Sequence, residues 1–193
     1  MNIGIYGGTF NPPHVGHLIA IESVRDQLHL DKVLFIPSAQ PPNKFGSSLA
    51  PADDRLQMIT LAIADTREFE VSDLEVRRHG ISYTIDTIRA LEGLHPGAGF
   101  SLIIGSDNFL EFQSWKSPKE ILDRVQLVVM NRPGFVLPPT KNEFSKFSTF
   151  VKVPQINISS SEIRRRVKMR HSIRYLVPKQ VEDYILRKNL YRD

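Results

Sequence analysis

The sequence contains no cysteine. Disulfides, thiol catalysis and thiolate metal sites are therefore excluded, and a reducing compartment fits. No apolar run approaches the roughly 20 residues of a membrane helix. The opening MNIGIYGG enters a strand-like run at once, without the basic, apolar and small-residue regions of an export signal. A cytoplasmic protein without membrane contact is expected. Charge of neither sign dominates: 25 Lys+Arg stand against 21 Asp+Glu, a net charge of +4. That mild excess suits an anionic ligand and does not demand nucleic acid. The H-E-x-x-H zinc motif, the G-x-G-x-x-G dinucleotide fingerprint and the G-K-[ST] phosphate loop are also missing.

What is present is an alternation of strand-like and helix-like stretches along 193 residues. A chain of this length buries roughly 70% of the surface it exposes when unfolded, so its core needs no staple. Strands are expected at Ile3–Tyr6, Lys32–Ile36, Phe69–Val71, Leu74–Val76, Phe100–Ile104, Gln126–Met130 and Phe150–Val153. Helices are expected at about Val15–Leu28, Pro51–Ala64, Asn108–Phe112, Pro118–Arg124, Ser160–Lys168 and Pro178–Lys188. Another would run to Leu94, with Ser82 or Thr84 placed to cap it. The alternation predicts an α/β, Rossmann-like, doubly wound parallel sheet with helices on both faces. We expect one domain over 1–193, with a C-terminal helical part from about residue 158. Gly134–Phe147 is the best candidate for a mobile loop. Ligands of such sheets bind beyond the carboxyl ends of the strands. The notable motifs fall there, after Tyr6, Ile36, Ile104 and Val153.

The most informative string is GGTFNPPHVGH, Gly7 to His17. Gly7 and Gly8 allow close backbone approach and unusual dihedrals. Pro12 and Pro13 hold the chain extended before a helix. His14 and His17 then sit near the first helical turn, where backbone N–H groups and the macrodipole favour anions. Two imidazoles there suit a polyphosphate. Two histidines at this spacing would need further ligands to hold zinc.

Other strings carry an ordinary and a chemical reading together. In ISSSEIR, Ile158 to Arg164, Ser159 and Glu162 have the spacing of a capping box, while the serines and Arg164 also suit a phosphate. Asp107 in GSDNFLEFQSWK is a helix cap or a ligand contact. Trp115, the only tryptophan, is a packing residue or a stacking platform. Thr84 in ISYTIDTI is a plain cap or a helix start suited to a carboxylate. Arg164–Arg166, Lys168 and Arg170 form a basic cluster, read mostly as a solvated helix face.

Taken together, these motifs resemble the bacterial nicotinate-nucleotide adenylyltransferases of the T/HxGH nucleotidyltransferase superfamily. The resemblance runs from Gly7 to Arg164. It implies transfer of the adenylyl group of ATP to nicotinate mononucleotide, giving deamido-NAD and pyrophosphate, with Mg2+ travelling with ATP and no metal site in the protein. The implied catalytic residues are His14, His17, Lys44 and Arg164. ATP would meet Gly7, Gly8, Thr9, Phe10, His14 and His17 on one side. Gly105, Asp107, Ile158, Ser160, Ser161 and Arg164 would meet it on the other. The acceptor would meet Thr9, Ser38, Lys44, Ser82, Tyr83, Thr84, Trp115, Lys116 and Arg132. In the family the tryptophan stacks on the pyridine ring, and the SYT threonine accounts for choosing nicotinate.

Some positions depart from the family pattern. Ser161 stands for a threonine, Ser38 for an asparagine, Asn43 for a histidine and Lys116 for a tyrosine. Related enzymes acting on phosphopantetheine or nicotinamide mononucleotide are the nearest rivals. A nucleic-acid module built on the Arg164–Arg170 cluster would leave Gly7–His17 unexplained. A homo-oligomer is compatible with the sequence, which does not determine one.

Overall fold

Strands and helices alternate over the residues that the computed structural model describes, 1–40, 49–78, 80–131 and 143–192. The strands are β1 (Asn2–Gly8), β2 (Lys32–Pro37), β3 (Phe69–Val71), β4 (Gly99–Gly105), β5 (Gln126–Met130) and β6 (Ser148–Val151). They form a parallel sheet in the order β3-β2-β1-β4-β5-β6. The order reverses at β1, where consecutive crossovers leave to opposite sides. This is the switch point at which open α/β sheets bind ligands.

The period of two along each strand decides which helix covers which face. Ile3, Ile5, Leu34, Ile36, Leu102, Ile104, Leu127 and Val129 point to one face. There they meet α4 (Thr84–Leu94) through Ile85, Ile88 and Leu91, and α6 (Pro118–Arg124) through Ile121. The intervening residues Val33, Phe35, Ile103, Val128 and Met130 point the other way. They meet Ile21 and Val24 of α1 (Val15–Gln27), and Ile59 of α2 (Ala52–Ala62). Both faces are buried, which is why these strands read as continuous apolar runs.

The C-terminal helices α7 (Ser160–Lys168) and α8 (Lys179–Arg187) share a cluster with Met58 of α2. Ile163, Val167, Val181 and Ile185 supply its apolar side. Tyr184 adds a hydrogen bond to Asp54 Oδ1 at 2.6 Å. Each fully buried aliphatic side chain here contributes about 1.5–3 kcal/mol.

Several local expectations change. Leu74–Val76 is not a strand; it opens the short helix α3 (Leu74–Arg78). Three apolar residues do not distinguish the two conformations, and Asp73 selects the helix. Its carbonyl accepts from Arg77 N at 2.8 Å, and its carboxylate pairs with the Arg77 side chain. The last strand lies earlier than Phe150–Val153. Its ladder gives way to Asn131, whose Oδ1 accepts from Val153 N at 2.6 Å. Neither Ser82 nor Thr84 caps α4: the cap position is Tyr83, without a side-chain bond. Within the expected loop Gly134–Phe147, residues 134–142 lie outside the described residues. Glu143–Phe147 is a 3-10 turn anchored by buried Phe144 against Phe112, with ring centroids 5.2 Å apart. The helix expected at Asn108–Phe112 begins earlier, as α5 (Ser106–Glu111).

Candidate active site

The site begins where β1 ends. Gly7 and Gly8 remain in the strand, and neither takes a left-handed conformation. That burden falls on Phe10, at φ 48°. Gly8 is needed for a different reason: a Cβ there would stand 3.0 Å from the Phe10 ring. The ring is buried edge-on to Tyr6, with centroids 5.4 Å apart, and to His17 at 5.5 Å. Phe10 therefore shapes the turn from within the core, and an ATP contact there would have to be made by its backbone. The Asn11–Pro12 peptide bond is cis.

His14 occupies the cap position of α1, and His17 lies three residues on. The imidazoles stack with centroids 3.6 Å apart and planes 28° apart. The His14 backbone N–H donates to His17 Nδ1 at 3.1 Å. An accepting Nδ1 places the proton of neutral His17 on Nε2. Gly16 makes this stack feasible, since a Cβ there would stand 3.0 Å from His14 Nδ1. The helix end itself offers less than expected. Val15 N donates to Leu176 O at 3.0 Å and His17 N to His14 O at 2.9 Å. Anion binding at this end thus leans on the imidazoles more than on first-turn N–H groups.

The ISSSEIR segment meets this loop directly. Ser159 caps α7 by accepting from Glu162 N at 3.1 Å, one half of the expected capping box; the Glu162 carboxylate pairs with Arg165 instead. Ser160 Oγ donates to Pro12 O at 2.8 Å, across 148 residues of sequence. Arg164 Nη1 donates to Asn11 O at 2.8 Å, and its Nη2 to Ser161 Oγ at 3.3 Å. The neighbouring arginines behave otherwise. Arg165 pairs with Glu162 at 2.7 Å, and Arg166 donates to Ser172 O at 2.7 Å. Ile158 is half-buried against the C-terminal cluster.

At the end of the adjacent strand β4, Gly105 is the cap of α5 and Asp107 sits in its first turn, half-buried. Asp107 is therefore not the cap residue. Further along, Trp115 follows a 3-10 turn and packs at 5.3 Å from Phe112. Lys116 reaches across to α4. Its Nζ lies 2.8 Å from Asp86 Oδ2 and 4.6 Å from the centroid of the Tyr83 ring. Lys116 is thus brought to Tyr83, at the cap of α4. Ser82 faces the end of β2: its Oγ accepts from Ala39 N at 3.2 Å, and its N donates to Gln40 O at 3.2 Å. Ser38 is buried, with its N bonded to Gly8 O at 3.0 Å. Lys44 and Arg132 lie outside the described residues.

Four residues near the site are given no role by the sequence motifs: Asn11, inside GGTFNPPHVGH, and Arg55, Glu75 and Tyr191, outside any of them. Asn11 Oδ1 accepts from Ala50 N at 3.1 Å and from Tyr191 Oη at 2.8 Å. Arg55 is 1% exposed and, among the described residues, donates only to backbone carbonyls. Burial pushes its pKa down. Glu75 is buried beneath α4, and Thr87 donates to its Oε1 at 2.6 Å. Burial raises its pKa, against the lowering effect of hydrogen bonds from Thr87 and Ser82. Burial likewise raises the pKa of Tyr191. A signal existed for Arg55: it shares the i, i+3, i+4 face of α2 with Met58 and Ile59, an apolar stripe where arginine is out of place. Tyr191 had none.

Comparison with known proteins places the chain in a family. A cytidylyltransferase-like family profile matches residues 5–166. A protein of Salinibacter ruber named "probable nicotinate-nucleotide adenylyltransferase" is 43% identical, covering 100% of this chain and 98% of its own. A protein of the same name from Geobacter sulfurreducens is also 43% identical, covering 99% and 98%. The fold matches the nicotinic acid mononucleotide adenylyltransferase of Plasmodium falciparum complexed with NaAD. That match has a TM-score of 0.80 and 24% identity, covering 98% of this chain and 97% of the other. The chain therefore belongs to the cytidylyltransferase-like family, among its nicotinate-nucleotide adenylyltransferase members.

Proposed function

We propose that this chain transfers the adenylyl group of ATP to nicotinate mononucleotide, forming deamido-NAD and pyrophosphate in NAD biosynthesis. One observation carries the reading. The loop Gly7–His17 and the helix start Ile158–Arg164, far apart in sequence, are joined through Asn11 and Pro12. In this reading they flank one anion-binding place beside the switch point of the sheet.

In this reading a phosphate oxygen of the mononucleotide attacks the α-phosphorus of ATP in line. The bond from that phosphorus to the bridging oxygen breaks, and pyrophosphate leaves with its electron pair. The nucleophile is already ionised at neutral pH, so no base and no covalent intermediate are required. The protein's work is alignment and stabilisation of developing charge. His17 Nε2–H, His14 and Arg164 are the donors proposed for the triphosphate, with Lys44 as a further cation. Gly7, Gly8, Thr9, Gly105, Asp107, Ser160 and Ser161 would line the rest of the ATP side. Trp115, Lys116, Tyr83 and Thr84 would hold the pyridine ring and its carboxylate. Ser38, Ser82 and Arg132 complete the proposed acceptor side.

Among the described residues no three His, Asp or Glu side chains gather to hold a metal ion. Magnesium enters this reading as part of the MgATP substrate, where it would neutralise phosphate charge. We take the C-terminal helices as part of the same catalytic unit and the cytoplasm as its compartment. The deciding assay is pyrophosphate release from MgATP with nicotinate mononucleotide, nicotinamide mononucleotide or phosphopantetheine as acceptor. Turnover with the first and little with the others is expected. Turnover only with phosphopantetheine would overturn the reading.

A further inference from the structure

The ladder between β1 and β2 stops at Ser38 N donating to Gly8 O at 3.0 Å. Beyond it the two chains part, one toward Phe10–His17 and the other toward Ser82. The next cross-link is a side chain. Arg55 Nη1 donates both to Thr9 O at 3.0 Å and to Ser38 O at 2.7 Å. Nη2 donates to Ala39 O at 3.0 Å, and Nε to Ala50 O at 3.0 Å. Among the described residues no carboxylate is paired with this guanidinium. A cation this deeply buried is costly, and an apolar residue would suit the stripe of α2 better for stability alone.

We infer that Arg55 is a positioning residue for the adenylyl transfer, fixing the distance between the loop proposed for ATP and the wall proposed for the acceptor. Thr9 leads into the loop that carries His14 and His17. Ala39 continues through its N–H to Ser82 Oγ, next to Tyr83 and Thr84. Ala50 holds Asn11 Oδ1, and Asn11 O holds Arg164. The planar fork thus sits between the two reactants' sites and touches the backbone of both sides. A lysine cannot reproduce this, because its single ammonium is a point donor without the fork. The inference rests on the site assignment above.

Arg55→Lys and Arg55→Met test it. Thermal melting gives the folded fraction, and pyrophosphate release with each substrate varied separately gives kcat and KM. Misalignment of bound reactants lowers kcat, and displacements near 1 Å cost about 100-fold. Both variants should therefore lose about 10- to 100-fold in kcat per folded molecule, with smaller changes in either KM. A folded Arg55→Lys enzyme with wild-type kcat, whatever its melting temperature, overturns the inference. If neither variant folds, the Nε–H resonance of Arg55 in 15N-arginine-labelled wild-type protein is the readout. It should shift on adding ATP and, separately, on adding nicotinate mononucleotide; no shift with either overturns the inference. His17→Ala is the control. If it is inactive while Arg55→Lys is fully active, the inference alone fails. If His17→Ala is itself active, the loop assignment fails and takes the inference with it.

Discussion

Arg164 donates from Nη1 to the carbonyl of Asn11 at 2.8 Å, while its neighbour Arg165 turns back to Glu162. Successive residues project about 100° apart on a helix, so one arginine of the run faces the Gly7–His17 loop and the next faces solvent. Arg164→Ala should raise the KM for ATP and lower turnover. The loss of a charged hydrogen bond is worth about 1.5–3 kcal/mol. Arg165→Ala should have little effect, because its partner Glu162 is an exposed surface pair. Equal, small effects at both positions in steady-state assays would count against the assigned role.

His17→Ala should nearly abolish turnover with the fold intact. Removing one donor to developing charge costs about 2.7–4 kcal/mol, roughly 100- to 1000-fold in rate. Gly16→Ala should act on the same step indirectly, since its methyl would press on His14 Nδ1 at 3.0 Å. Its kcat should fall while its melting temperature changes little. Near wild-type kcat at saturating ATP in both variants would remove the imidazole pair from the mechanism.

Trp115→Ala should weaken the acceptor far more than ATP. The ring stands beside Phe112, and its neighbour Lys116 crosses to Asp86 and Tyr83. Stacking of a heterocycle on an aromatic side chain is worth about 1–3 kcal/mol. An effect confined to the KM for ATP would place the tryptophan elsewhere in the reaction.

Nicotinate mononucleotide should be preferred over its amide in kcat/KM. In the proposed site a carboxylate would meet the positive end of α4 and the Lys116 cation, whereas the amide is neutral. A site built for one hydrogen-bonding pattern can discriminate by as much as about 10⁴–10⁵. A smaller factor is expected here, because Lys116 already has a carboxylate partner at 2.8 Å. Comparable values for the two acceptors would point to dual specificity.

Glu75 predicts a pH dependence of stability. Burial holds its pKa above the usual carboxyl value, so between that value and the raised one the folded state binds more protons. Its contribution is therefore complete in acid and is lost as pH rises through the raised pKa. Glu75→Gln keeps an acceptor for Thr87 and removes the titration. The difference in melting temperature, variant minus wild type, should increase as pH rises across that window. A difference independent of pH would show that Glu75 titrates as an ordinary carboxyl group.

The sequence by itself determined the parallel sheet and the two loops that carry the histidines and the serines. Both are local: strand and helix periods repeat within a few residues, and a cap such as Ser159 reaches only to Glu162. It did not determine α3, because Leu74–Val76 is too short for its period to choose a conformation. What only the tertiary structure decided are relations between distant segments. Asn11 receives Ala50, Arg164 and Tyr191 from three places in the chain. Arg55 spans the gap where the β1–β2 ladder stops. Each of these bonds satisfies a buried polar group whose nearest partner is set by packing, and packing is not encoded in spacing along the chain.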